Sequence, residues 1–422
     1  MGNETNNNRK LFEGLKIAEF AWVVVGPCTS RYFAEHGATV VKIESHKRLD
    51  TNRVNSPFVG NRPDPDNSMF YGRHNPNKYS VTIDMKSPGG LELAWKLIKW
   101  ADIVTESFSP GTMEKWGLGY EDVRKVRPDI IYFSSSMQGR GGPHSSYAGY
   151  GQNACNFSGY TELSGWPDRK PCAPYGAYTD YVCCRLAAFA MTAALIHKKL
   201  TGEGQYIEQS QFESSIHFLL QAVMDYQVNG NIMTRMGNRT PIAAPHGVFP
   251  CKGDDLWVSL SAIGEDEWQR FCKAIGKPEL ITDARFAGFK ARKEHEDELE
   301  EIVAAWTSRH TREEVEDILL AANVSVHKVS RPSDVYQDPQ LAARNYFTPL
   351  EHAVMGTQKF EPQSGFILSR TPREVKRPSP LLGEHNEYVF KELLGMSDDE
   401  IAEHIIDGSI TTQMEGPLVT TF

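Results

Sequence analysis

A chain of 422 residues, 40% of them apolar and 23% charged, has enough apolar sequence to bury a large core and a cleft, and that balance excludes an intrinsically disordered protein. A formal net charge of −9 argues against a general nucleic-acid binder, while leaving room for a local basic pocket that takes a phosphorylated ligand. The seven cysteines show no CxxC spacing, which points to neither a disulfide framework nor a zinc site, and the polar stretch Met1–Lys10 lacks the apolar core of a signal peptide. The expectation is a cytoplasmic enzyme without a metal.

Leu15–Phe20 alternates as a strand, Gly26-Pro27 breaks the chain, residues 28–36 read as a helix, and Ala38–Glu44 returns as a strand. Such a βαβ unit places ligands at the C-terminal ends of its strands, where the loop 22–27 lies. No GxGxxG accompanies it, so a dinucleotide site is disfavoured, although Gly26 still permits close backbone approach. The alternation repeats through a strand at 79–84, a helix at 88–100, a strand at 101–106, a helix over 112–126 and a strand at 129–135. An open, Rossmann-like parallel α/β sheet is the economical fold.

Gly- and Pro-rich sequence from 139 to 176 interrupts the pattern, and a loop of that length inside an enzyme is expected to shape a cleft. A helix at 181–200, a strand at 205–210 and a helix over 211–228 follow. Residues 181–200 carry Arg185, His197, Lys198 and Lys199, so they read as a buried helix rather than a membrane span. Beyond Gly237 the hairpin-like stretch 247–260 and charged helices at 264–275 and 290–322 suggest a smaller α+β domain. The expected division is 1–228 for the first part of the large domain, 229–335 for the small domain, and 336–422 for a return to the large domain or an embrace of a partner.

Asp180 stands at the mouth of the 181–200 helix. A short acid there is ordinarily an N-cap, yet the same position pre-orients a carboxylate for chemistry.

The chain resembles the class III coenzyme A transferases, the formyl-CoA and carnitine-CoA transferase family, over nearly its whole length. The resemblance rests on Gly14–Ile17 with Gly26-Pro27 and Gly37–Glu44, on Asn77-Lys78 with Ile83–Lys86, and on Thr201–Gln205. It continues through Ala244–Phe249 with Cys251-Lys252, Asp338-Pro339 with Ala343-Arg344, and Leu382–His385. The resemblance implies an interlocked dimer, homomeric or built with a related subunit, whose substrates are an acyl-CoA donor and a carboxylic acid acceptor. It puts Asp180 where the family keeps a nucleophilic aspartate that carries CoA as a covalent thioester, with neither ATP nor metal. It implies that Val24 and Val25 face the pantetheine and thiol end of CoA, that Asn77, Lys78, Ser107 and Phe108 line the nucleotide region, that Lys47 or Lys115 pairs with phosphate, and that Met137 joins this set.

Where the oxalate-using branch has a catalytic glutamine in the first loop this chain has Val24, and the glycine-rich lid of that branch is missing, which argues against oxalate and formate. The racemases of the same fold resemble Ala-Gly-His-Asp where this chain reads Ala148-Gly149-Tyr150-Gly151, and tyrosine is a poor base at neutral pH. His144 lies nearby, but a loop histidine is ordinarily a surface residue. An α-methylacyl-CoA racemase is thus the alternative activity, and a CoA-binding subunit without catalysis is the alternative class, against which the presence of Asp180 argues. Tyr147, Tyr150, Phe157, Tyr160, Trp166, Tyr175 and Tyr178 offer aromatic lining for a roomy acceptor, although core packing is the commoner use of such residues. The pattern resembles most the branch that handles carnitine-like, aryl-lactate and arylsuccinate acids, with succinyl-CoA as donor and benzylsuccinate as the favoured acceptor.

Overall fold

The computed structural model describes residues 10–414. The chain divides into two compact units: one holds residues up to Tyr160, Pro174–Asn229 and those from Arg344 onward, and the other holds Thr161–Ala173 and Gly230–Ala343.

The first unit is built on six parallel strands: β1 (Lys16–Glu19), β2 (Thr39–Glu44), β3 (Tyr79–Thr82), β4 (Ile103–Glu106), β5 (Ile131–Ser136) and β6 (Gln205–Ser210). Their spatial order is β3-β2-β1-β4-β5-β6. Successive strand residues face opposite sides, so Ile17, Val40, Ile103 and Ile131 enter one core while Ala18, Val41, Val104 and Tyr132 enter the other. Helix α1 (Val25–Glu35) covers the first face with Phe33 and Ala34, and α2 (Pro88–Trp100) covers the second with Leu93, Leu97 and Ile98. Covering both faces is what lets these strands read as apolar runs rather than as a half-wet alternation. The chain moves outward from β1 through β2 to β3, then crosses back to β4 on the other side. The loops after β1 and β4 therefore part at the sheet's switch point, the place where open α/β sheets bind ligands.

The exposed edge of β3 is closed by the C-terminal stretch, since the amides of Ser80 and Thr82 donate to His385 Nδ1 at 3.2 Å and Asn386 Oδ1 at 2.9 Å. Helices α3 (Gly151–Ser158), α4 (Tyr178–Thr201) and α5 (Leu220–Asn229) complete the part of this unit that concerns the site. By length and composition alone α4 could cross a membrane, but Ala187, Met191 and Ala194 pack it into the sheet core.

The second unit pairs β7 (His246–Pro250), β8 (Trp257–Ser261) and β9 (Ser325–Lys328) as an antiparallel sheet under helices that bury Trp268, Phe271, Leu299 and Val315. The helix expected over 290–322 is three helices, Phe289–Glu294, Glu296–Thr307 and Arg312–Ala321, the last begun by a capping box between Thr311 and Glu314. In the first unit the helix expected over 112–126 is two, Thr112–Lys115 and Tyr120–Val126, parted around Gly117 at φ 66°. The C-terminal stretch adds an antiparallel pair, β10 (Thr348–His352) and β11 (Gly356–Phe360), that the sequence reading did not foresee.

Candidate active site

A cleft of about 780 Å³ opens at the C-terminal ends of β1, β2, β4 and β5. Trp22 and Val23 form its wall after β1, His46, Lys47 and Arg48 after β2, Ser107 and Phe108 after β4, and Met137 after β5; Tyr147 and Tyr150 of the glycine-rich segment close it.

The first loop is held by its backbone. Val23 adopts φ 69°, the left-handed region that a β-branched side chain avoids at a cost of roughly 1–3 kcal/mol. Its amide donates to both Asp50 carboxylate oxygens, at 3.1 and 3.3 Å, and its carbonyl accepts from Asn52 Nδ2. Asp50 is in turn paired with the fully buried Lys42 at 2.9 Å, and Lys42 also donates to the Ala21 carbonyl at 3.0 Å. The loop after β4 is stitched to the first loop by Ser107, whose hydroxyl accepts from the Trp22 amide at 3.0 Å and donates to the Trp22 carbonyl at 3.1 Å. Phe108 stands edge-on to both Trp22 and Trp116, with centroids 5.3 and 5.6 Å away. Behind these rings a smaller pocket of about 150 Å³ has Phe20, Ile43 and Met85 as walls and Lys47, Arg48 and Lys86 among its lining. The two cavities share Trp22, Lys47, Arg48 and Phe108, so an aromatic slot with cationic groups adjoins the cleft.

Asp180 is the third residue of α4, not its N-cap. The cap position is Ala177, and the turn from the Ala177 carbonyl to the Asp180 amide, 3.0 Å, makes Tyr178 and Thr179 helical. Thr179 secures that turn by donating to the Gly151 carbonyl at 2.8 Å, a tertiary contact that no local pattern signals. The carboxyl is therefore free of capping duty and packs against Gly151, the first residue of α3. A Cβ at position 151 would stand 2.6 Å from both Asp180 Cγ and Oδ1, so only glycine admits this approach. Gly149 and Tyr150, the preceding residues, line the cleft. Asp180 is only 4% exposed, and burial raises its carboxyl to about 7, opposed by a hydrogen bond with the Gln211 side chain. A carboxyl shifted this far by burial, packed against the glycine that follows two cleft-lining residues, marks a candidate functional position.

Of the residues singled out in the sequence, Lys47, Ser107, Phe108 and Met137 come together in the cleft. Val24 and Val25 do not line it. Both are buried, Val24 against Cys28 and Cys184, and their neighbour Val23 takes the cleft position. Asn77 and Lys78 are likewise turned inward. Asn77 accepts from the amides of Lys376 and Arg377 at 2.9 and 3.0 Å, and Lys78 is buried on Glu19 at 2.9 Å, the Pro27 carbonyl at 2.9 Å and Asn75 at 3.0 Å. They brace the scaffold under the first loop. Lys115 is exposed at the end of its short helix, outside the cleft lining. Sequence reasoning did not assign Arg48, Met85, Lys86, Gly151 or Gln211 as lining or supporting residues, and it placed Val23 only as part of the ligand-facing loop 22–27. The signal for Gly151 was present in the paired glycines around Tyr150. Among the described residues no group of three or more His, Cys, Asp or Glu side chains is gathered to hold a metal.

The profile of CoA-transferase family III matches residues 12–386. The succinyl-CoA–D-citramalate CoA-transferase of Chloroflexus aurantiacus is 30% identical over 92% of this chain and 96% of its own. The beta subunit of the succinyl-CoA–L-malate CoA-transferase of the same organism is 31% identical over 92% of this chain and 95% of its own. A crystal structure of a CAIB/BAIF family protein from Brucella suis superposes with a TM-score of 0.84 at 28% identity, covering 91% of this chain and all of that one. On the profile match and these relatives, which agree with its parallel sheet and switch-point cleft, the chain belongs to CoA-transferase family III and is an enzyme of that type.

Proposed function

We propose that this enzyme moves CoA from succinyl-CoA to a free dicarboxylic acid through a covalent thioester on Asp180, with an arylsuccinate such as benzylsuccinate as the acceptor. The observation that carries the reading is the Asp180 carboxyl, buried against Gly151 beside the cleft and poised near pH 7. The ionised carboxylate attacks the succinyl thioester carbonyl, and the C–S bond breaks to give a mixed anhydride and CoA thiolate. The thiolate then attacks the aspartyl carbonyl, releasing succinate and leaving CoA on Asp180. The acceptor carboxylate attacks that thioester, thiolate leaves again, and its attack on the acceptor acyl carbon frees Asp180. Each step exchanges one activated acyl bond for another, so no ATP is consumed.

The aromatic slot among Trp22, Phe108 and Trp116 suits a purine ring, and Lys47, Arg48 and Lys86 suit its phosphates. Tyr147 and Tyr150 favour an acceptor with an aryl group, whereas the names of the two relatives make short hydroxy-dicarboxylates its competitors. The racemase alternative finds less support. His74, which reaches Tyr181 beside Asp180, is held neutral because burial pushes it down to about 3.

A second chain is part of this reading. Helix α5 buries none of its residues although Val223, Met224, Tyr226 and Val228 are apolar, and such a face calls for a partner copy or a related subunit. Seven free cysteines fit a reducing cytoplasm. The test is incubation without ATP of succinyl-CoA with benzylsuccinate, D-citramalate and L-malate, reading new thioesters by mass spectrometry. A new thioester that vanishes in Asp180→Ala supports the reading. Exchange of the α-proton of branched acyl-CoAs without any new thioester contradicts it.

A further inference from the structure

A separate cavity of about 400 Å³ lies where α1 packs on α4, lined by Cys28 and Tyr32 of α1, Cys184, Arg185 and Phe189 of α4, and Gln363. It shares no lining residue with the cleft. The two cysteines meet across the helix pair within one small buried cluster that includes Val24. Their surroundings are unequal. Arg185 Nη1 stands 2.8 Å from Cys184 Sγ and the Gln363 amide 3.7 Å, while the protonated Cys184 thiol reaches the Tyr181 carbonyl at 3.2 Å. The hydrogen bond from Cys28, with the Arg185 charge, lowers the Cys184 thiol, and burial raises Cys28. Cys184 thus ionises more readily than Cys28 beside it, the inequality that separates an attacking from a resolving cysteine.

We propose that Cys28 and Cys184 form a peroxide-sensitive disulfide site that reversibly ties the helix following the first loop to the helix that carries Asp180. The Cys184 thiolate attacks one oxygen of hydrogen peroxide, the O–O bond breaks, and hydroxide departs to take up the thiol proton as water. Sulfur is left as a sulfenic acid. The Cys28 sulfur attacks it, the S–O bond breaks, the S–S bond forms, and the departing hydroxide takes the Cys28 proton as a second water. Two thiols lose two electrons in all, and peroxide gains them.

Cys28 lies three residues beyond Val25, and Cys184 one helical turn beyond Asp180. Joining the two sulfurs at a covalent separation of about 2.05 Å draws the two helices together, and a misplacement of about 1 Å in an active site costs on the order of 100-fold in rate. This consequence rests on the CoA-transfer reading; the cross-link itself does not.

The test treats the reduced full-length protein with hydrogen peroxide under native conditions, then quenches with catalase and N-ethylmaleimide before peptide mass spectrometry. The expected product is a Cys28–Cys184 linked peptide, released by dithiothreitol and missing from C28S and C184S. CoA transfer by the oxidised wild type should fall at least tenfold and return with dithiothreitol, whereas C184S treated alike keeps its rate. Exposed Cys172 reports that peroxide acted. Oxidation at Cys172 with both buried thiols still alkylated on denaturation, or a link from Cys184 to another cysteine, would overturn the site. A linked enzyme that transfers at full rate would overturn its control of the active centre, and a reduced enzyme that transfers no CoA counts against the proposed function while the cross-link is still scored by mass.

Discussion

Replacing Asp180 by asparagine removes a titration that burial makes expensive. The carboxyl ionises near 3.8 when exposed and near 7 in the fold, because burial disfavours its charge. The sign follows from which state holds the proton. Between these two values the folded protein keeps a proton that the unfolded chain has lost, so stability falls as pH rises through this window and levels off above 7. Roughly three pH units at about 1.4 kcal/mol each give about 4 kcal/mol over the full window, of which about 2.5 kcal/mol falls between pH 5 and pH 8. A side-chain amide at this position has no such titration. Urea unfolding followed by circular dichroism on wild type and D180N, at half-unit steps from pH 5 to pH 8, should show the variant gaining about 2.5 kcal/mol on wild type. In the proposed mechanism the same ionisation governs catalysis, so kcat/KM should climb tenfold per pH unit below 7 and flatten above it. Stability curves that run parallel for the two proteins would refute the reasoning, since they would mean Asp180 ionises as an ordinary solvated acid.

Three further substitutions probe the supports of the site. Gly151→Ala puts a methyl 2.6 Å from the Asp180 carboxyl carbon and should lower kcat by about 100-fold while circular dichroism stays that of wild type. Asp50→Ala leaves Lys42 buried without its nearest carboxylate and frees the Val23 amide, so chemical denaturation should report a loss of about 3–5 kcal/mol. Lys47→Ala should raise KM for succinyl-CoA about tenfold with kcat held, and weaken its dependence on ionic strength, as steady-state kinetics at two salt concentrations will show.

The strands and their two-sided burial were legible because β-branched and apolar residues alternate faces from Leu15 to Ser135, and a parallel sheet leaves both faces apolar. Their spatial order was not, since nothing local says that β1 lies between β2 and β4. Asp180 could be found from its place ahead of an apolar helix, but its role inside the first turn depends on Thr179 reaching Gly151, 28 residues away. Lys78, given to the nucleotide region by resemblance, is buried instead, because only the tertiary fold brings Glu19, Pro27 and Asn75 around it to compensate that burial. The loop that holds Val23 was legible as ligand-facing, but the residue's left-handed backbone was not, because it is imposed by Asp50 and Asn52, which lie beyond the following strand.

The most direct test of the central claim is the intact mass of the enzyme after brief mixing with succinyl-CoA and no acceptor, with peptide mapping of any adduct. The expected result is one CoA per active site bound through the Asp180 carboxyl, cleaved by hydroxylamine, with free succinate in equal amount and no adduct on D180N. An enzyme that turns over succinyl-CoA and acceptor at full rate with Asp180 replaced, or that carries the adduct on another residue, would contradict it.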